Sequence, residues 1–320
     1  MLYISEQTAK ELVDQAAVTQ AVNDAFVALA NNEASNWPIV RETLGYADAI
    51  FGFKSGFNRS LPALGLKAGG LWPGNASKGL LNHQSTVLLF DPDTGAPKAL
   101  VRANYLTALR TAAASALSIR HLAKKDAKVL GIIGAGGQAE YQLAAALNER
   151  SFSAVHISSR NPSKANVLAS SSILNGCDVH VSTPEALARA CDVIITITPS
   201  RDAILEIDWI QPGTHIAAMG TDTVGKQELD PSIMAWATLF GDEASEAVHL
   251  GECQHAYKSG LISEDDITTL GHVIGGTDAG RSNDDEVTVF DSTGMALQDF
   301  AACDLALCYA QNENRAIQLD

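Results

Sequence analysis

KVLGIIGAGGQA, residues 128–139, decides how this chain is read. Lys128–Ile133 has the apolar pattern of a buried strand. Gly134-Ala135-Gly136-Gly137-Gln138-Ala139 is a glycine-rich turn, and an alanine-rich helix over 137–149 leaves it. Glycine-rich turns are common on their own, so the weight comes from the strand before and the helix after. Gly134 permits the tight turn, Gly136 lets the backbone approach a pyrophosphate, and Ala139 keeps the helix close to the sheet. Free N–H groups and the dipole at the helix start favour an anion. The expected ligand is a dinucleotide, NAD(H) or NADP(H).

Downstream, the short apolar runs Ala154–Ser158, Val179–Ser182, Val193–Thr198, His215–Met219 and Thr238–Phe240 alternate with helical segments. That alternation predicts a parallel, doubly wound sheet. The second strand ends in Ser158-Ser159-Arg160-Asn161. An acidic residue there would hold the 2′-hydroxyl of NAD; Arg160 suits a 2′-phosphate, so both cofactors stay open.

Upstream, residues 6–31 read as one amphipathic helix, with Leu12, Val13, Ala16, Val22, Phe26 and Leu29 at helical spacing. Short apolar runs punctuated by Gly and Pro fill 38–101, and Asp91-Pro92-Asp93-Thr94-Gly95 is a hairpin signal. An alanine-rich helix spans about 104–123, and a last apolar helix, 294–310, packs back on the first part. The fold class is therefore α/β. A Rossmann-type doubly wound parallel sheet occupies 124–293. Residues 1–123, completed by 294–320, form an α+β substrate and dimerisation domain.

Composition narrows the function. With 22 Lys and Arg against 37 Asp and Glu, the net charge is −15, which disfavours a nucleic-acid partner. No basic n-region opens the chain and no apolar window reaches a membrane span, so a soluble, cytoplasmic protein is expected. The five cysteines are scattered, as for reduced thiols. No metal is expected; Glu246, His249, Glu252 and His255 have ligand-like spacing but read as a solvated helix face.

Residues 51–90 contain no Asp or Glu, yet carry Lys54, Arg59, Lys67, Lys78 and His83. Lys67 alternates with apolar neighbours, and Arg110 lies in a helix of small residues. A cation in a segment that should be buried needs an anionic partner. With no acid close by in sequence, a substrate carboxylate is the natural candidate, which Arg binds bidentately.

Leu64–Lys67 with Pro73-Gly74-Asn75, LTALRTAA (106–113), IIGAGGQA (132–139), TITPS (196–200), GTDTVGK (220–226) and FDSTGMALQD (290–299) together resemble the ornithine cyclodeaminase/mu-crystallin family, over essentially the whole chain. The resemblance implies a small-molecule substrate, an imine or amine next to a carboxylate, and a homodimer. It also implies roles by motif. Arg41, Lys67 and Arg110 would clamp the α-carboxylate, with Lys67 as proton donor and Asp222 as the acid/base facing the substrate nitrogen. Gly134, Gly136, Gly137, Gln138, Ser159, Arg160, Lys226 and the strand ends at Thr196, His215 and Ala218 would contact the cofactor. Ser292 would lie at the nicotinamide and Thr293 at the substrate.

One departure bears on the substrate. Lys54-Ser55 stands where many members have an apolar Met-Pro pair. A lysine there repels the distal ammonium of an ornithine-type substrate and attracts a second carboxylate. The expected activity is thus NAD(P)H-dependent reduction of a dicarboxylic imine, iminosuccinate to L-aspartate. The alternatives are ornithine-type deaminating cyclisation, alanine dehydrogenation, cyclic ketimine reduction and a non-enzymatic binding role. For the cofactor, Arg160→Ala is expected to weaken NADPH more than NADH in parallel binding titrations; equal loss for both would remove Arg160 from the ribose site.

Overall fold

A computed structural model describes all residues from Met1 to Asp320. The chain forms two compact units, Met1–Thr111 with Met295–Asp320, and Ala112–Gly294.

In the first unit, β1 (Leu2–Ile4) leads into α1 (Glu6–Leu12) and α2 (Gln15–Ala30). The single helix expected over 6–31 is broken: Val13 is extended, and the Asp14 carboxylate accepts from Ala17 N at 2.8 Å, capping a new helix. The apolar phase continues through the break, so periodicity alone could not reveal it. Then come β2 (Ala34–Thr43), β3 (Ile50–Asn58), β4 (Ala63–Leu71), β5 (His83–Phe90) and β6 (Pro97–Arg102). The β5–β6 hairpin turns where expected. Asp91 Oδ1 accepts from the backbone of Asp93 and Thr94, and Gly95 takes φ +71°. Strand β2 was not expected; it is an edge strand with Pro38 and a bulge between Trp37 and Val40, which erases the alternation.

After β6, α3 (Asn104–Leu122) begins, and the chain divides inside it, after Thr111. The physical reason lies in the second half of α3: Ala112 and Ala116 pack against Ala145 and Tyr141, small residues that allow close helix contact.

The second unit is an eight-stranded parallel sheet. It comprises β7 (Val129–Ile133), β8 (Ala154–Ser158), β9 (Asp178–Val181), β10 (Val193–Thr196), β11 (His215–Ala218), β12 (Thr238–Gly241), β13 (Ile267–Thr269) and β14 (Thr288–Asp291). The order is β13-β12-β14-β11-β10-β7-β8-β9. The direction of winding reverses between β7 and β10, the place where such sheets bind ligands. Helices α4 (Ala139–Glu149), α5 (Pro162–Ala169), α6 (Pro184–Ala190), α7 (Pro231–Trp236), α8 (Ala244–His249), α9 (Gln254–Lys258) and α10 (Leu270–Gly275) fill the connections. Strands β13 and β14 were not foreseen. They are three and four residues long, too short for a periodic signal.

The chain returns to the first unit with α11 (Ala296–Asn312) and β15 (Ile317–Gln318). These complete a sheet of order β15-β1-β6-β5-β4-β3-β2. Phe300 of α11 is buried against Gly65 of β4, where an added Cβ would stand 3.3 Å from the ring. No helix is long and apolar enough to cross a membrane.

Candidate active site

Strand pairing assembles the cations of the first unit. Lys54 on β3 lies directly opposite Lys67 on β4, and Gly52 opposite Arg41 on β2. Residues two apart on a strand share a face, so Arg41, Lys54 and Lys67 project from one side of the sheet. Lys54 and Lys67 are only 5% and 6% exposed, and Arg110 on α3 also 6%. Lysines facing each other across a ladder repel, and burial makes the repulsion worse.

The anion that answers them is Asp299, on α11. Its Oδ1 accepts from Lys67 Nζ and from Arg110 Nε, both at 3.0 Å. Gln298 Oε1 takes a further Arg110 hydrogen bond at 3.0 Å. The sequence expectation that Lys67 and Arg110 lack a protein counterion is therefore corrected. Asp299 stands within the FDSTGMALQD stretch but 189 residues from Arg110, beyond any local pattern of charge. Burial lowers the Lys67 pKa to about 8, with Arg110 and Arg41 adding to the shift and Asp299 opposing it. Burial alone would raise Asp299, yet Arg110, Lys67 and Lys54 outweigh it and hold the carboxyl below its ordinary value. The result is an ionised carboxylate beside a lysine that can give up its proton near neutral pH.

In the second unit, Gly134 ends β7 with φ +115°, and a Cβ there would meet the Ile197 carbonyl at 2.6 Å. Only glycine fits. Gly136 and Gly137 have open space where a side chain would stand. Gln138 precedes α4 without capping it by its side chain, and its Oε1 is buried with no hydrogen-bond partner. An open glycine turn leading into uncapped helical N–H groups fits a dinucleotide phosphate. At the end of β8, Ser159 Oγ accepts from Asn161 N at 3.2 Å, and Arg160 is exposed.

Among the other expected cofactor residues, Ala218 and Thr196 end their strands, and the Thr196 hydroxyl donates to Glu228 at 2.8 Å. His215 does not belong with them. It begins β11, in register with Val193 and Leu130, a strand length away from the Gly134 end. Its ring is fully buried between Ser118 and Thr288, at 3.1 and 2.9 Å. Burial, with Arg281 and Arg150 nearby, pushes its pKa down to about 3. It is a neutral core histidine.

The loop after β11 carries Asp222. Lys226 Nζ pairs with Asp222 at 2.8 Å and donates to the Gly220 carbonyl at 3.1 Å, so this ammonium is engaged by the candidate acid/base itself. Past β14, Ser292 donates to Asp242 at 2.8 Å and Thr293 to Glu246 at 2.9 Å. The solvated helix face expected at 246–255 is also corrected. The segment forms two short helices, with Glu246 and Glu252 buried at 9% and 2%. Burial, together with Glu228, raises Glu252 to about 8, and burial raises Asp291 to about 7. No group of three or more His, Cys, Asp or Glu is arranged to hold a metal ion.

Residues 2–312 match the model of the ornithine cyclodeaminase/mu-crystallin family. The chain belongs to that family. It is 47% identical to iminosuccinate reductase of Paracoccus denitrificans over 320 residues, all of both chains. The crystal structure of that enzyme in complex with NAD+ matches with a TM-score of 0.92 and 46% identity, covering 100% of this chain and 99% of the other. Δ1-pyrroline-2-carboxylate reductase of Thermococcus litoralis, in complex with NADH and L-proline, matches with a TM-score of 0.95 at 30% identity, covering both chains fully. Alanine dehydrogenase of Archaeoglobus fulgidus is 35% identical over 98% of this chain and 96% of its own.

Asp299→Asn leaves two buried cations without their shared anion, so unfolding free energy should fall by about 3–5 kcal/mol, read from urea denaturation at pH 7. A loss below about 1 kcal/mol, as for an exposed ion pair, would contradict the assignment.

Proposed function

We propose that this protein is an NAD(P)H-dependent reductase of C=N bonds that converts iminosuccinate to L-aspartate. The observation that carries the reading is Lys54, buried and directly opposite Lys67. A surface lysine at this position would carry no substrate information. A second ammonium held beside the Lys67–Arg110–Asp299 cluster favours a substrate with two carboxylates over one with a distal amine.

Arg41, Lys67 and Arg110 then bind the α-carboxylate, and Lys54 the distal one. Gly134, Gly136, Gly137 and Gln138 would hold the dinucleotide, which when bound supplies the hydride that adds to the imine carbon. Asp222 stabilises the positive charge on the substrate nitrogen, and Lys67 supplies the proton that an unprotonated imine needs to become the amine. The Ser292 and Thr293 hydroxyls are held by Asp242 and Glu246.

The homodimer is part of the same proposal. Trp37, Phe51 and Phe53 share the sheet face opposite to Lys54 and are 43%, 39% and 42% exposed, which suits burial by a second copy. A structurally similar archaeal alanine dehydrogenase is described as a dimer. The five free cysteines are in keeping with a cytoplasmic protein.

Two outcomes test the reading. Lys67 is the ammonium donor below its pKa of about 8, so kcat/KM for imine reduction should be retained below that pH and decline as pH rises through it; a flat profile to pH 10 would remove Lys67 as donor. Lys54→Met should cut kcat/KM for the four-carbon dicarboxylic imine by roughly tenfold or more, while alanine formation from pyruvate and ammonia falls little or rises. The quantity to measure is the ratio of the two kcat/KM values before and after substitution; an unmoved ratio defeats the dicarboxylate assignment.

A further inference from the structure

The loop Gly220–Glu228 contains no helix or strand of its own, yet it carries Asp222 and Lys226. One short segment, Glu252–His255, grips it at several points. Glu252 Oε1 accepts from the backbone of Glu228 at 2.8 Å and Leu229 at 2.7 Å, and its Oε2 is hydrogen-bonded to the Thr221 hydroxyl. Gln254 Oε1 accepts from Gly225 N at 2.8 Å, and its Nε2 donates to the carbonyls of Thr223 and Lys226 at 3.3 and 3.4 Å. His255 Nε2 donates to the Lys226 carbonyl at 2.9 Å. Glu252 and Gln254 are 2% and 0% exposed.

The same segment reaches a second strand end. Cys253 N donates to Asp291 Oδ2 at 2.9 Å, immediately before Ser292 and Thr293. Gly251 makes this possible, since a Cβ there would stand 2.4 Å from Asp291 Oδ2. Backbone amides and a hydroxyl, with no Lys or Arg among them, satisfy Glu252. Side chains that grip main-chain atoms fix the path of the loop whatever its own residues prefer.

We propose that Glu252 and Gln254 are positioning residues for the reaction, holding loop 220–228 in the conformation that presents the Asp222–Lys226 pair. Neither needs to touch substrate or cofactor. The kinetic consequence rests on the reductase reading; the structural one does not.

The test compares Gln254→Ala, Gln254→Glu, Glu252→Ala and Glu252→Gln with the parent enzyme by amide hydrogen exchange, cofactor-binding fluorescence and steady-state kinetics. In both alanine variants, peptides covering 220–228 should exchange at least about tenfold faster while those covering 134–149 do not change. Turnover should fall on the order of ten- to a hundredfold, as for a misplaced catalytic group, with cofactor Kd held within about threefold. Glu252→Gln retains an acceptor for both amides and a partner for Thr221, and should recover most of the turnover. Gln254→Glu keeps the shape but turns a carboxylate oxygen on four carbonyls, those of Thr223 and Lys226 in the loop and of Leu250 and Gly251 beside it, and should loosen the loop even if the alanine variants fail to fold. Unchanged exchange at 220–228 in the variants that fold overturns the proposal. So does a parallel loss of turnover, cofactor affinity and melting temperature, which marks a purely structural role. If the parent enzyme reduces no imine, the reductase reading fails, and the exchange data still decide the loop assignment.

Discussion

One oxygen atom, Asp299 Oδ1, joins two buried cations that the sheet and helix α3 bring together. Like charges in a low-dielectric interior are tolerable only when an anion lies between them. Asp299 supplies that anion from α11, where the helix packs on β3 and β4. The same bond bears on the protonation of Lys67. Asp299 raises a lysine that burial and two arginines lower, and the balance leaves Lys67 near pH 8. The packing of the cluster and the protonation of Lys67 therefore share one interaction, set against the larger effect of burial.

The second unit solves a different problem with the opposite charge. Of its buried acids, Glu228, Asp242 and Asp291 lie at the ends of strands or in the loops that follow them, and Glu252 lies between α8 and α9. Glu228 accepts from Thr196, Thr198 N and Gly220 N, so one carboxylate ties the end of β10 to the end of β11. Asp242 does the same for Ser292 and Gly294 after β14. Loops with no repeating hydrogen bonds of their own need such external acceptors. Placing them at strand ends makes rigid the region where a parallel sheet binds its ligand.

Much of this was legible beforehand. The strand–glycine–helix unit at 128–149 announced the parallel sheet, because a tight turn and a close phosphate approach restrict residue type at fixed positions. Lys67 and Arg110 were recognisable because positive charge in apolar or small-residue surroundings is unusual, and Lys54 because it departs from the family's apolar pair in an acid-free stretch. What escaped were features whose cause lies far along the chain. The break at Val13-Asp14 depends on a cap inside a continuous apolar pattern, and β14 is four residues beside an acidic stretch. His215 seemed to mark a cofactor contact by motif, yet its place at the start of β11 sets it among Ser118 and Thr288.

The linear sequence by itself determined the fold class, the dinucleotide turn and the presence of cations in segments due to be buried, since each is encoded by neighbours a few residues apart. Tertiary structure decided which charges are partners. Asp299 is 232 residues from Lys67, and Glu252 is 24 from Glu228, whose backbone N–H donates to it. Charge energy depends on distance in space and on the surrounding dielectric, and neither quantity exists until the chain has folded. The same acid that reads as a solvated helix face in sequence becomes, once buried, the clamp on a loop.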